Sequence, residues 1–129
     1  MKPNFEARTK VIEYIALSRR ADRFPELEEL LWSKEEVVVW GAGAFALRLL
    51  KNSPLGKLNI IGFADNDVRK QGAKIGGRIG IYAPQEILTS FKGTIVVCSA
   101  VYPNEIIRDI EKLGLPNRIV VVRDTYENH

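Results

Sequence analysis

The feature that most constrains the fold of this chain is a strand pattern that stops abruptly at two glycines. Residues 37–40 read Val-Val-Val-Trp, a β-branched run typical of a strand that is buried on both faces. Gly41-Ala42-Gly43 follows at once, and apolar residues then recur with helical spacing from Ala44 onward. A strand that turns within three residues into a helix begins a β-α-β unit, so we expect a parallel sheet.

Each glycine of this turn has a physical role if the turn holds an anion. The spacing from Gly41 to Ala46 is Gly-x-Gly-x-x-Ala. The first glycine permits the tight turn, the second lets a diphosphate approach the backbone, and Ala46 lets the helix pack close to the strand. The start of the helix adds N–H groups and a partial positive charge. The turn therefore predicts five ligand-binding residues: Gly41, Ala42, Gly43, Ala44 and Phe45.

An acidic residue at the end of the next strand completes the pattern. Asp65 lies 24 residues after Gly41, and its carboxylate could accept hydrogen bonds from ribose hydroxyls. Asn66 beside it, and Ser99 after a later strand, are expected at the same edge of the sheet, where open sheets bind ligands. Asp65-Asn66-Asp67 is equally a sequence that caps a turn by itself, and Ser99 is equally a cap residue.

The identity of the ligand is narrowed by the residues around the turn. Methyltransferases that use S-adenosylmethionine usually carry a further glycine after the second one and an acid just before the turn. Here Ala44 follows Gly43, and Trp40 precedes Gly41. NAD(P) or a nucleotide-sugar is therefore favoured over S-adenosylmethionine. Three cations beyond the acid could neutralise an extra phosphate or be solvated loop charges: Arg69, Lys70 and Lys74.

The first 35 residues predict two helices. Asn4 is a plausible N-cap for the first helix. In this helix apolar residues recur at spacings of three, four and seven: Phe5, Val11, Ile12, Ile15 and Ala16. Pro25 suits the first position of a second, short helix. Its apolar stripe would serve as core or as a surface for a homodimer or a docked catalytic domain: Leu27, Leu30, Leu31 and Trp32.

From residue 36 the chain alternates buried strands with helices. The predicted order is strand, helix, strand, strand, helix, strand, helix and strand, with a loop over residues 68–78 and a helix from Pro84 to about Ser90. This order predicts an α/β fold: a small Rossmann-like three-layer αβα arrangement with a mostly parallel five-stranded sheet. Residues 1–35 form a helical extension in this interpretation, and residues 36–129 form the nucleotide-binding domain.

Few side chains are suited to catalysis. The single histidine is His129, and Cys98 ends an apolar strand without a histidine partner, so we expect a buried structural thiol. No tyrosine is followed four residues later by lysine, as short-chain dehydrogenases require. The net charge of +3 is spread out, and no apolar run could span a bilayer. We expect a cytoplasmic module that binds neither nucleic acid nor membrane and is non-catalytic alone.

Several stretches resemble small Rossmann-like domains of bacterial sugar and surface-polysaccharide enzymes: Val37–Ala46, Ile61–Asp67, Lys70–Gly72, Gly77–Ile79, Pro84–Glu86 and Tyr102–Ile107. The pattern is similar to the C-terminal domain of sugar C-methyltransferases. It also resembles the nucleotide-binding N-terminal domains of nucleotide-sugar dehydratases and sugar acyltransferases. The resemblance implies that Gly41, Gly43 and Asp65 hold a nucleotide-sugar. Phe45 departs from the acyltransferases, which place a histidine just after the glycines.

Three interpretations remain open from the sequence. The chain is a nucleotide-binding module that is non-catalytic alone and belongs to a methyltransferase-like or sugar-modifying protein. Alternatively, a partner domain supplies the chemistry at the edge formed by Gly41 and Asp65. In the third interpretation the chain is a structural or interaction module with a vestigial nucleotide site, and its N-terminal helices make the contact.

Overall fold

The computed structural model describes residues 9–14, 24–99 and 104–124, with side chains described from residue 24 to 99 and from 104 to 123. The strands are Thr9–Tyr14 (β1), Glu36–Trp40 (β2), Asn59–Ala64 (β3), Lys74–Ile75 (β4), Ile79–Tyr82 (β5), Thr94–Ser99 (β6) and Ile119–Asp124 (β7). The helices are Pro25–Ser33 (α1), Ala44–Asn52 (α2), Pro84–Leu88 (α3) and Asn104–Lys112 (α4), with a 3₁₀ turn at Pro54–Lys57.

The strands form a mostly parallel sheet, which confirms the α/β prediction. Six parallel strands lie in the order β1-β7-β6-β2-β3-β5, and the two-residue β4 pairs antiparallel with β5 at the edge. β2 is central, between β3 and β6. The chain leaves β2 towards β3 and later returns on the other side through β6. The strand order therefore reverses between β2 and β6, which is where an open sheet forms a crevice at its carboxyl edge.

The predicted first helix is wrong over the residues that the structure describes. Thr9–Tyr14 is a strand, and it pairs in parallel with β7 from Thr9 opposite Ile119 to Tyr14 opposite Asp124. Val11 and Ile12 are β-branched, and the exposed edge of β7 offers a hydrogen-bonding partner that a local pattern does not show. The sheet thus has six parallel strands rather than five. Asn4, Phe5, Ile15 and Ala16 lie outside the described residues.

The predicted second helix is confirmed, but most of its apolar stripe is core. Pro25 occupies the first turn of α1, where its missing N–H costs no hydrogen bond. Leu27 and Leu30 are 0% and 1% exposed, which confirms the core alternative for these two residues and excludes them from a docking surface. Trp32 is 80% exposed. Only this side chain and the partly buried Leu31 are left for such a contact.

The buried apolar residues form two clusters on opposite sides of the sheet. Val37 and Val39 of β2 join one cluster with residues of α1 and α2, while Val38 and Trp40 join the other with residues of α3 and α4. Alternate residues of a strand point to opposite faces, so the two clusters cover both faces of the sheet. Near-continuous apolar strands such as β2 and β6 are the consequence.

Smaller elements differ from the predicted boundaries. β4 lies within the stretch predicted as a loop, and α3 ends at Leu88 rather than about Ser90. Pro103, which precedes α4 in the chain, is outside the described residues. Among the helices that the structure describes, none has the length and apolar character needed to cross a membrane.

Candidate functional site

Gly41 is a glycine because of its place between β3 and β6. Its φ of +112° is a conformation that side chains with a Cβ rarely adopt. Its N–H donates to the carbonyl oxygen of Ala64 at 2.8 Å. A Cβ added at Gly41 would lie 2.5 Å from the carbonyl oxygen of Cys98, which belongs to the backbone of β6. The fold alone therefore requires glycine at this position.

Gly43 is a glycine for no such reason. It is the N-cap of α2 with φ −93° and ψ −170°, an extended conformation open to any residue. Among the residues that the structure describes, the one heavy atom within 4 Å of an added Cβ is Nζ of Lys70, at an ordinary contact distance of 3.7 Å. No side chain makes a capping hydrogen bond there. The backbone at Gly43 is thus left open at the start of a nine-residue helix.

Two residues of the turn point their side chains into the core. Phe45 is 4% exposed and packs in the cluster with α1, and the Arg48 guanidinium lies 5.5 Å from its ring centroid. Ala42 is buried in the same cluster, whereas Ala44 is exposed. The Phe45 side chain therefore does not fill the space above the turn, and only the backbone of this residue lies at the predicted site.

Asp65 joins the glycine turn to the end of β3. Its Oδ2 accepts a hydrogen bond from the Ala42 N–H at 2.9 Å, and its Oδ1 accepts one from the Asp67 N–H at 2.8 Å. Nζ of Lys70 lies 3.8 Å from Oδ2. The Asp65 side chain is 15% exposed. The structure thus brings together Asp65 and the turn, as predicted, and the carboxylate also fixes the backbone of both turns.

Asn66 and Ser99 are not drawn into this arrangement. Asn66 donates from Nδ2 to Oδ2 of Asp109 at 2.9 Å, which ties the end of β3 to α4. Asn66 and Asp109 line a cavity of about 210 Å³ together with Trp40. Ser99 is partly buried at the end of β6, opposite Arg123 of β7. Ala100, Val101 and Tyr102, which follow Ser99 in the chain, lie outside the described residues.

The three cations beyond the acid are in different situations. Arg69 forms two hydrogen bonds with the Asp67 carboxylate, each 3.1 Å long. This pairing lowers the pKa of Asp67 and raises the pKa of Arg69. Lys74 is exposed on β4. Lys70 is the one of these three cations that lies beside both Asp65 and Gly43. The fold of the loop brings it there, and the local sequence does not distinguish it from the other two cations.

Cys98 is buried, as predicted. It is a free cysteine, and burial raises the pKa of its thiol to about 12, so the neutral thiol persists at ordinary pH. Within the stretches that the structure describes, no group of three or more histidine, cysteine or carboxylate side chains could hold a metal ion.

The fold and the turn define an α/β protein with a glycine turn at the carboxyl edge of a mostly parallel sheet. Residues 33–121 match the family described as C2185-like, N-terminal. This match covers more than half of the chain, so the chain belongs to that family. The matched stretch contains the glycine turn, Asp65 and Lys70, and it excludes β1. No curated protein matches the chain, and no solved structure matches it either.

Proposed function

We propose that the chain is a nucleotide-binding module that is non-catalytic alone and takes NAD(P) or a nucleotide-sugar at the Gly41–Ala46 turn. In this proposal the α/β fold is a Rossmann-like αβα arrangement. The strand order β5-β3-β2-β6-β7, with its reversal at β2, supports it. So do the two apolar clusters on opposite faces of the sheet.

The observation that carries the proposal is the open backbone at Gly43. Gly43 has an ordinary φ, and none of the described residues crowds its missing Cβ, so the described part of the fold does not require glycine there. Its missing side chain matters most to a group that approaches from outside. The N-terminus of α2 favours an anion there, and the Lys70 ammonium group adds a full positive charge. A diphosphate matches this combination of a backbone without a side chain, a helix N-terminus and a cation.

Asp65 suits the ribose next to such a diphosphate. Each of its oxygens accepts one backbone hydrogen bond and retains a second lone pair. Its side chain keeps some exposure at the edge of the sheet. A ribose hydroxyl can donate to it, as in other dinucleotide sites. S-adenosylmethionine remains less favoured, and the similarity to sugar-enzyme domains points to a sugar-modifying or methyltransferase-like parent protein.

The chemistry would come from another domain or protein. The Cys98 thiol is buried and stays protonated at ordinary pH. The single histidine, His129, lies outside the described residues. Among the described residues, the neighbourhood of Gly43 offers a backbone, a lysine and a carboxylate that is already hydrogen-bonded. In this proposal these groups bind and orient a ligand.

The proposal predicts ligand-dependent thermal stability. NAD, NADP and UDP-glucose at millimolar concentration are each added to the protein, and the melting temperature is measured. A ligand at 100 times its dissociation constant stabilises the fold by about 2.7 kcal/mol. We expect at least one to raise the melting temperature, and Gly43→Val to abolish the shift because valine accepts this backbone conformation but blocks the approach.

Two lysine variants provide the matched control. Lys70→Ala should weaken binding of the same ligand, whereas Lys92→Ala should leave it unchanged. Lys92 is exposed in the loop before β6, at the amino edge of the sheet, far from the glycine turn. Binding that persists in Gly43→Val, or the absence of any shift with all three ligands, would overturn the proposal.

A second candidate function is an interaction module with a vestigial nucleotide site. Two observations favour it: Asp65 already satisfies the Ala42 N–H, and Trp32 is largely exposed on α1. Exposed tryptophans are frequent at the centres of protein interfaces. In that case none of the nucleotides changes the melting temperature, and Trp32→Glu lowers the oligomeric state or the affinity for a docked domain.

A further inference from the structure

The cavity beside Trp40 lies at the carboxyl ends of three neighbouring strands. Trp40 ends β2, Asn66 follows the end of β3, and Pro84 follows the end of β5. These strands are adjacent in the sheet, in the order β2-β3-β5. Trp40 belongs to the apolar cluster on the α3 and α4 side, and α4 lines the cavity with Asp109 and Lys112. The cavity therefore opens at the edge of the sheet that carries the glycine turn.

The size and lining of the cavity suit one flat part of a larger ligand. Its volume of about 210 Å³ is below the roughly 300 Å³ at which pockets for whole ligands begin. Trp40 and Pro84 are buried and provide apolar walls. Apolar walls with a small number of polar groups are usual for small-molecule sites.

The cavity is one residue away from the candidate diphosphate site on two strands. Trp40 immediately precedes Gly41, and Asn66 immediately follows Asp65, so the Cα atoms of each pair are about 3.8 Å apart. In a nucleotide the ribose joins the phosphate to the base. A ligand whose diphosphate lies at Gly43 and whose ribose contacts Asp65 therefore brings its base to this cavity.

The polar groups of the cavity include hydrogen-bond acceptors that the protein itself does not use. Asn66 donates from Nδ2 to Oδ2 of Asp109 at 2.9 Å. Within the part of the chain that the structure describes, Oδ1 of neither side chain accepts a hydrogen bond. An ionised carboxylate only accepts hydrogen bonds, whereas Lys112, one turn further along α4, only donates them. The cavity thus suits a ring that donates at one position and accepts at another.

We propose that this cavity takes the adenine ring of the ligand, with the exocyclic amino group donating to the Asp109 carboxylate. The inference rests on the proposed nucleotide function and narrows its ligand to an adenine nucleotide such as NAD. Adenine combines an amino donor with a ring-nitrogen acceptor, whereas the pyrimidine of a UDP-sugar presents a carbonyl oxygen in place of the amino group. A carbonyl oxygen beside Oδ1 of Asp109 brings two acceptors together, which is unfavourable.

Exchange of one group on the ligand tests this assignment. NAD and nicotinamide hypoxanthine dinucleotide, in which a carbonyl oxygen replaces the amino group of adenine, are each titrated into the whole chain by calorimetry. We expect NAD to bind roughly tenfold more tightly or better, because it alone donates a hydrogen bond to the charged carboxylate at this position. UDP-glucose should bind more weakly than NAD for the same reason.

Asp109→Asn is the matching change in the protein. The substitution keeps the shape of the side chain and replaces an acceptor oxygen by an N–H₂ donor. It should weaken NAD binding and leave binding of the hypoxanthine analogue unchanged or tighter, and that retained binding shows that the variant is folded. Glu111→Gln removes the same charge from an exposed position of α4 that does not line the cavity, so it should leave the preference for NAD unchanged.

The outcomes separate the adenine assignment from the proposed function. If NAD, the hypoxanthine analogue and UDP-glucose all fail to bind, the nucleotide function is overturned and the adenine assignment with it. If they bind and Gly43→Val abolishes binding, the diphosphate site stands. In that case equal affinities for NAD and its analogue, tighter binding of UDP-glucose, or an unchanged preference in Asp109→Asn would overturn the adenine assignment alone.

Discussion

Gly41 and Gly43 stand one residue apart in the same turn, and they are glycines for different reasons. At Gly41 a positive φ and the nearby Cys98 carbonyl exclude any side chain. At Gly43 the backbone is ordinary, and of the described residues only the end of Lys70 comes near the position of a Cβ. The first glycine belongs to the fold, and the second is free to serve a ligand. A sequence motif that contains both therefore mixes a structural signal with a functional one.

The largest effect is expected from Gly41→Ser. The new Cβ would lie 2.5 Å from the Cys98 carbonyl oxygen, and the residue would be held at φ +112°. We expect the free energy of unfolding to fall by about 3 kcal/mol or more, because both the contact and the backbone conformation are unfavourable. Urea denaturation measures the change. A loss below about 0.5 kcal/mol, the usual range for surface substitutions, would contradict the structural role of Gly41.

The next largest effect on stability concerns Cys98, whose carbonyl oxygen leaves no room for a side chain at Gly41. Burial raises the pKa of its thiol to about 12 in the folded protein, whereas an unfolded cysteine titrates near 8.5. Between these values the unfolded chain loses the proton and the folded chain keeps it, so stability falls as pH rises. The slope is about 1.4 kcal/mol per pH unit, or about 2.5 kcal/mol between pH 9 and 11.

The control for this prediction is Cys98→Ala, which has no thiol to titrate. Lysine and tyrosine groups also titrate in this range, and they do so in both proteins. The difference in unfolding free energy between wild type and variant should therefore shrink steadily above pH 9. A difference that stays constant up to pH 11 would show that the thiol ionises equally in the folded and unfolded states.

The smallest effect is expected from Gly43→Ser. Serine accepts the extended conformation of this N-cap, and its hydroxyl can accept a hydrogen bond from an N–H in the first turn of α2. The free energy of unfolding should change by less than about 0.5 kcal/mol, towards greater stability. Urea denaturation beside Gly41→Ser makes the comparison direct. Equal losses at the two positions would remove the distinction between the two glycines.

The central part of the fold could be predicted because its signals are local. Val37–Trp40 is a strand and Ala44 begins a helix because the β-branched run, the glycines and the helical spacing all agree. Thr9–Tyr14 could not be predicted in this way. Its apolar residues fit a helical spacing, and the pairing with β7 that makes it a strand joins residues more than one hundred positions apart.

The candidate site was predictable to a similar extent. The edge position of Asp65 follows from the end of a strand, but its bond to the Ala42 N–H depends on β2 and β3 being neighbours. Asn66 was placed with the ligand residues, and its contact with Asp109 of α4 depends on tertiary packing. Lys70 lay among loop charges in the sequence, and only the course of that loop brings it to Gly43.

The two hydrogen bonds of the Asp65 carboxylate also bear on the rate of ligand binding and on the conformational entropy that is lost when a ligand binds. They hold the backbone after β2 and the backbone after β3 in one arrangement. If a nucleotide binds there as proposed, it meets backbone that these two bonds already order, so less conformational entropy is lost on association. Association would then be limited by diffusion and orientation rather than by the ordering of these two backbone segments.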